Sequence, residues 1–196
     1  MMHHIEQLLD RTLHQQKNPD THIEHSMTFL SIALQIKAKK ILELGTREGG
    51  STYPFLVASK ILGGSLTSID IETPGYEAPE DLKPYWNFIK SDALEFLDSN
   101  TERFDLIYVD DWHSYPHVKK ELEYIDKISD KSTIILLHDL MGMSSHPYYF
   151  YPKDAPDTSE WAKGGPFRAV AELDFNKWEW ATIPVSHGLT ILRKRI

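Results

Sequence analysis

The feature that most constrains the fold of this chain is a regular alternation of short apolar runs with amphipathic stretches, which begins near residue 40. The apolar runs are typical of strands that are buried on both faces, and the stretches between them are typical of crossover helices. Such an alternation predicts a doubly wound α/β fold with a mostly parallel sheet. The predicted strands cover residues 41–44, 65–69, 87–90, 106–109 and 133–137.

The two ends of the chain depart from this alternation. In the first 37 residues, apolar side chains recur at spacings of three and four, which predicts N-terminal helices. Near the C-terminus, residues 178–183 and 189–193 flank a Ser-His-Gly turn and predict an antiparallel hairpin. A chain of 196 residues is long enough for one sizeable core. We therefore expect a single domain, 1–196, in which a helical segment, 1–37, precedes a Rossmann-like core, 38–196.

Composition limits the function classes that the chain can belong to. It has 21 Lys and Arg against 29 Asp and Glu, a formal net charge of −8, and an acidic surface repels a phosphate backbone. We therefore expect no nucleic-acid partner. Because cysteine is absent, a disulfide, a thiolate zinc site and a thiol nucleophile are excluded. No apolar run approaches the roughly 20 residues of a membrane span, and no signal-peptide pattern is visible. The expected location is the cytoplasm, without membrane binding.

A glycine-rich turn, KKILELGTREGGST, joins the first predicted strand to the next helix. Backbone N–H groups at a helix start can bind a ligand, and Gly45 and Gly49 let the chain approach that ligand closely. The spacing, G-x-x-x-G behind Glu43, differs from the G-x-G-x-x-G of dinucleotide enzymes and lacks the G-K-[ST] of a P-loop. We expect this turn, with Thr46 and Ser51, to bind an adenosyl cofactor. The alternative is that the glycines only shape a βα turn.

Acidic residues also follow the second and third predicted strands. Asp70 ends the second strand, where a carboxylate can accept hydrogen bonds from both ribose hydroxyls, and Glu72 is a rival for this role. The third strand leads into Asp92 and Ala93, and the Asp92 carboxylate could accept the exocyclic amine of adenine. Single acids at strand ends are often solvated residues, but their order along the chain favours a nucleoside site.

Candidate chemistry follows the fourth and fifth predicted strands. Asp110, Asp111 and His113 come after the fourth, and His138 and Asp139 after the fifth. Since parallel strands open their carboxyl ends onto one crevice, these side chains could hold a divalent ion that lowers the pKa of a bound hydroxyl. Oxygen ligands suit magnesium, and added imidazole favours manganese, iron or zinc. Alternatively, the aspartates cap helices or order loops, and His138 is a hydrogen-bonded core residue.

His113 has two possible roles. An imidazole titrates close to neutrality, so it could be the general base that removes the proton of a hydroxyl acceptor. It could equally cap the helix that begins near Tyr115.

Together, Glu43-x-Gly45-x-x-x-Gly49, Asp70, Asp92-Ala93, YVDDWHSY and LLHDL resemble the ordered motifs of class I S-adenosylmethionine-dependent methyltransferases. Within that class they are most similar to methyltransferase-24-type small-molecule O-methyltransferases, distant relatives of catechol and caffeoyl-coenzyme A O-methyltransferases. The resemblance covers about residues 38–196.

This resemblance implies S-adenosyl-L-methionine as the cofactor and a small hydroxylated molecule as the acceptor. It also implies that the acids at Asp110 and Asp139 are ligands of Mg²⁺ or Mn²⁺, and that His138 replaces the second ligand that relatives carry beside the latter; Asp110 would also border the cofactor. Cephalosporin-hydroxylase-type proteins have similar motifs, so a metal-dependent oxygenase is an alternative. A protein that binds S-adenosylmethionine without catalysis is another.

An aromatic and proline-rich tract, 141–161, follows the last of these motifs. Its position beside the expected chemistry favours a mobile substrate lid, because a lid excludes water and completes a site. Exposed aromatic residues also mark protein interfaces, so the tract could instead form a homodimer contact.

Overall fold

The computed structural model of the protein describes residues 2–14, 25–140, 164–185 and 187–196. The helices are α1 (Met2–His14), α2 (Ser26–Gln35), α3 (Thr52–Leu62), α4 (Ala93–Ser99), α5 (Tyr115–Ile128) and α6 (Gly165–Ala171), with a 3-10 helix at Lys83–Tyr85. The strands are β1 (Lys40–Leu44), β2 (Ser65–Asp70), β3 (Trp86–Lys90), β4 (Leu106–Val109), β5 (Ile134–Leu137), β6 (Trp178–Ile183) and β7 (Leu189–Lys194).

The seven strands form one sheet in the order β3-β2-β1-β4-β5-β7-β6. The first five are parallel, and β7 pairs antiparallel with both β5 and β6. This arrangement confirms the predicted Rossmann-like, doubly wound fold with its C-terminal hairpin. The strand order reverses between β1 and β4, and ligands of such sheets bind in the crevice at the carboxyl ends beside that reversal.

Helices cover both faces of the sheet because successive strand residues point to opposite sides. Leu42 belongs to a buried cluster that includes side chains of α4, α5 and α6, whereas Ile41 belongs to a second cluster with α1, α2 and α3. All four residues of β4 are buried, which explains why its sequence reads as a continuous apolar run. No helix within the described ranges is long and apolar enough to cross a membrane.

The backbone ladder continues past the carboxyl ends of the central strands. The amide of Asp110 donates to the carbonyl of Leu44 at 2.9 Å, and that of His138 donates to Val109 at 3.1 Å. Gly45 has a φ of +88°, and a Cβ there would lie 2.2 Å from the Asp110 carbonyl oxygen. The first turn and the loop after β4 can therefore touch only because residue 45 is a glycine.

Candidate functional site

Glu43 lies beneath the glycine-rich turn. It is fully buried, and its carboxylate accepts hydrogen bonds from the hydroxyls of Ser51 at 2.6 Å, Thr52 at 2.9 Å and Ser68 at 2.6 Å. Burial raises the pKa of Glu43 from 4.5 to about 7, although the three hydroxyl donors oppose this shift. Glu43 and Ser51 thus join the end of β1 to the start of α3 and to β2.

Asp70 braces the turn from the neighbouring strand. Its Oδ2 accepts from the backbone amides of Thr46 at 2.8 Å and Arg47 at 3.1 Å, and its Oδ1 accepts from the amide of Glu72 at 2.9 Å. A carboxylate has about four acceptor positions, so these three bonds leave capacity for a ribose hydroxyl. The assignment of the ribose to Asp70 over Glu72 stays a prediction.

Two of the predicted ligand contacts, Gly49 and Asp92, have other partners in the structure. Gly49 has a φ of +75°, and a Cβ there would lie 2.2 Å from the ring of Tyr76, so this glycine makes room for a tyrosine. Thr46 is buried, and its hydroxyl has no hydrogen-bond partner among the described residues. Asp92 is the N-cap of α4, since its Oδ1 accepts from the amides of Leu94 and Glu95 at 2.8 and 3.2 Å.

A cavity of about 390 Å³ lies at the carboxyl ends of β1 to β4, within the size range of small-molecule sites. Five of the predicted cofactor-binding residues line it, namely Gly45, Asp70, Asp92, Ala93 and Asp110. The remaining lining residues are Arg47, Ile69, Ile71, Glu72, Ser91, Asp111, Trp112 and His117. Glu43, Thr46, Gly49 and Ser51 do not line the cavity, and their contact with a cofactor stays a prediction.

The structure brings together the residues that follow β4 and β5. The Nε2 of His113 lies 3.3 Å from Oδ1 of Asp110 and 3.0 Å from Oδ2 of Asp139. The Nδ1 of His138 lies 3.4 Å from an oxygen of each aspartate. Tyr108 donates its hydroxyl to Oδ2 of Asp110 at 2.8 Å, which fixes that carboxylate. We name Asp110, His113, His138 and Asp139 the acid–imidazole cluster.

Opposite charges stabilise this cluster. Burial on its own would raise the pKa of Asp110 and of Asp139, but the neighbouring imidazoles hold the pKa of both carboxyls well below their usual range. Burial would likewise lower the pKa of His138, but the two carboxylates raise it to about 10. The two carboxylates therefore favour the protonated form of His138.

The donor set fits a divalent ion. Asp110, His113 and Asp139 each offer one ligand atom, and the three atoms lie within 4.8 Å of one another. The Nε2 of His113 lies 3.3 and 3.0 Å from the two aspartate oxygens, and bonds of about 2.1 Å to one ion place neighbouring ligand atoms about 3.0–3.4 Å apart, so these side chains can share one ion. His113 belongs to this set of three, whereas the sequence predicted His138 as the nitrogen ligand. His138 is close to both aspartates and stays a second candidate.

Two further histidines, which sequence reasoning missed, border the cluster. The His138 ring makes edge contacts with His25, centroids 5.7 Å apart, and with His187, centroids 6.3 Å apart. His25, Asp139 and His187 all have positive φ, at 66°, 61° and 64°, which is uncommon outside glycine and is often found at functional sites. The predicted Ser-His-Gly turn could have indicated that His187 lies near the cluster. No sequence pattern indicated the position of His25. The predicted lid or interface, 141–161, lies outside the described residues.

Comparison with known families gives a match over half of the chain. Residues 42–140, just over half of the 196-residue chain, match the family model described as "Methyltransferase domain". A comparison with curated protein sequences gave no match.

Solved structures show the same fold. The S-adenosylhomocysteine-bound methyltransferase PaMTH1 of Podospora anserina is 18% identical, with a TM-score of 0.65 over 96% of this chain and 88% of that one. An O-methyltransferase of Bacillus cereus in complex with S-adenosylhomocysteine is 16% identical, with a TM-score of 0.64 over 98% and 90%. A structure named cmcI-D160 Mg-SAM is 15% identical, with a TM-score of 0.61 over 87% and 70%. Together with the family match, this fold shows that the chain belongs to the class I S-adenosylmethionine-dependent methyltransferases, in the methyltransferase domain family.

Proposed function

We propose that the protein transfers the methyl group of S-adenosylmethionine to a hydroxyl of a small molecule, with the assistance of a divalent ion. One observation carries this proposal: Asp110 lines the 390 Å³ cavity and also belongs to the acid–imidazole cluster. A cofactor in the cavity and an acceptor at the cluster would therefore be neighbours. Methyl transfer is an in-line displacement, so alignment of these two molecules is the main requirement.

The cavity wall suits an adenosyl group. Asp70 and Asp92 supply acceptors for ribose and adenine, and the Trp112 side chain, 43% exposed, supplies an apolar ring face. The PaMTH1 and Bacillus cereus structures contain S-adenosylhomocysteine, which supports the same ligand class here.

The cluster suits an acceptor hydroxyl. Asp110 and Asp139, with His113 or His138, would hold Mg²⁺ or Mn²⁺, and the bound ion would lower the pKa of the hydroxyl. The name of the cmcI structure includes magnesium together with S-adenosylmethionine, which supports this pairing. Where His138 supplies the nitrogen ligand, the Nε2 of His113 would accept the hydroxyl proton, because the two carboxylates that it faces stabilise an imidazolium.

The remaining expectations are part of the same proposal. A net charge of −8 favours a small-molecule acceptor over nucleic acid. The absence of cysteine favours action in the cytoplasm, and we propose that the protein acts there without membrane binding.

Calorimetry with the metal-loaded protein tests the cofactor assignment. We expect saturable binding of S-adenosylhomocysteine and none of NAD, and methyl transfer to at least one member of a panel of phenols, catechols and sugars. Binding of NAD with no response to S-adenosylhomocysteine would refute the proposal.

A second candidate is a metal-dependent oxygenase, which the imidazoles around Asp110 and Asp139 favour, because iron oxygenases use histidine and carboxylate ligands. Oxygen consumption that depends on 2-oxoglutarate, without methyl transfer, would identify it.

A further inference from the structure

A second group of ligand-type side chains lies beside the cofactor cavity. Asp111 is in the loop after β4, and His117 and Glu121 are on successive turns of α5. The Nε2 of His117 is 3.0 Å from Oδ2 of Asp111 and 3.7 Å from Oε1 of Glu121. One ligand atom from each residue lies within 4.8 Å of the other two. None of these residues belongs to the acid–imidazole cluster.

Glu121 is the unexplained member of this group. Its side chain has no solvent exposure, and neither carboxylate oxygen has a hydrogen-bond donor among the described residues. Oδ1 of Asp111 is also buried without a partner there. Burial and the facing Asp111 carboxylate raise the pKa of Glu121 well above its usual range. A buried carboxylate without a donor is unfavourable, so this arrangement calls for a cation or a proton.

Counting acceptors distinguishes these two possibilities. Glu121 contributes two unpartnered oxygens and Asp111 contributes one. A single shared proton satisfies one hydrogen bond and leaves the other oxygens unpaired. A divalent ion contacts oxygens of both carboxylates and balances both charges. The Nε2 of His117 hydrogen-bonds to Oδ2 of Asp111 at 3.0 Å and lies 3.7 Å from Oε1 of Glu121. Such a nitrogen is also a common metal ligand, so one ion could take all three side chains as ligands.

We propose that Asp111, His117 and Glu121 form a second divalent-cation site, separate from the acid–imidazole cluster, that binds a first-row transition ion such as Zn²⁺ or Mn²⁺. One imidazole and two carboxylates favour such ions over Mg²⁺. Asp111 and His117 line the cavity, so the ion can enter from it. Once bound, it connects the loop after β4 to α5 and fixes that part of the cavity wall. The site does not depend on the proposed methyl transfer.

Metal stoichiometry of the full-length protein tests this site. Chelator-treated protein is titrated with Zn²⁺ against a chromophoric competitor, and bound zinc is counted by elemental analysis. We expect Glu121→Gln to lose one ion, with affinity at that site reduced at least tenfold, since even outer-sphere partners contribute about 10–100-fold. Glu123→Gln is the matched control, because Glu123 is an exposed glutamate on the same helix. Asp139→Asn should weaken only the ion at the acid–imidazole cluster.

Thermal unfolding supplies a second measurement. In the Asp139→Asn background, Zn²⁺ should still raise Tm, and adding Glu121→Gln should remove that rise. Glutamine has the size of glutamate and no charge, so the variant is expected to fold, which circular dichroism checks; His117→Gln tests the same site. The proposal is overturned if Glu121→Gln and His117→Gln bind as much zinc as the parent protein with equal affinity. Loss of zinc binding in both variants supports the proposal, even if Asp139→Asn leaves zinc binding unchanged.

Discussion

The buried carboxyl of Glu43 predicts a specific dependence of stability on pH. In the folded protein its pKa is about 7, against 4.5 as the ordinary value. Between these values the folded state holds a proton that the unfolded state releases, so the free energy of unfolding falls as pH rises through this interval. Linkage gives a loss of about 2.5 kcal/mol between about pH 5 and pH 8 from this group alone. Glu43→Gln removes the titrating group and should remove that loss.

Urea unfolding of both proteins at several pH values measures this effect. The free energy of unfolding of Glu43→Gln, minus that of the parent protein, should become more positive by about 2.5 kcal/mol across the interval. Glu48→Gln is the control, because it makes the same chemical change at an exposed position in the same turn. A difference that stays constant with pH for Glu43→Gln would mean that the three hydroxyl donors keep the carboxylate ionised at low pH, which contradicts the reasoning.

Three further predictions concern the site. Gly45→Ala should destabilise the protein by more than Gly63→Ala. Both glycines have positive φ, which costs either alanine about 1–3 kcal/mol, but of the two only the Cβ at position 45 would meet a backbone atom, at 2.2 Å. Equal losses of unfolding free energy in urea would refute the clash. Asp70→Ala should weaken S-adenosylhomocysteine binding by about 1.5–3 kcal/mol in calorimetry, because a charged acceptor is lost; normal binding, with weakened binding in Glu72→Ala, would reverse the assignment. Chelator treatment should abolish turnover, Mg²⁺ or Mn²⁺ should restore it, and Asp139→Asn should resist restoration; full activity in chelator would eliminate the metal role.

The sequence predicts elements better than it predicts partners. The strands that are buried on both faces were predictable, because a doubly covered strand must be apolar along its length. Thr133 was predicted to begin β5, but its hydroxyl donates to the Phe104 carbonyl at 3.2 Å and the strand begins at Ile134. A polar side chain at a strand end can hydrogen-bond to the adjoining loop, and the hydrophobic periodicity of the sequence does not show whether it does so.

The candidate site shows the same limit. The motif predicted that Glu43 and Gly49 contact a ligand at the glycine-rich turn, which stays a prediction, and the structure shows Ser68 beside Glu43 and Tyr76 beside Gly49. Ser68 and Tyr76, which surround them, come from a later strand and loop, and only the folded chain brings them there. The convergence of Asp110 with Asp139 was predictable, since parallel strands end at one edge. The sequence also placed His113 after the same strand as Asp110, but it favoured His138 as the nitrogen ligand.

The positions of the histidines around the acid–imidazole cluster predict that, during unfolding in urea, the protein loses its activity before it loses its central structure. His25 precedes α2 near the N-terminus, and His187 lies between β6 and β7 at the edge of the sheet, so both ends of the chain contribute to one site. Terminal elements open locally at lower free energy than central strands. Rising urea should therefore detach the hairpin or α2 and inactivate the enzyme while the central parallel strands still give their circular dichroism signal.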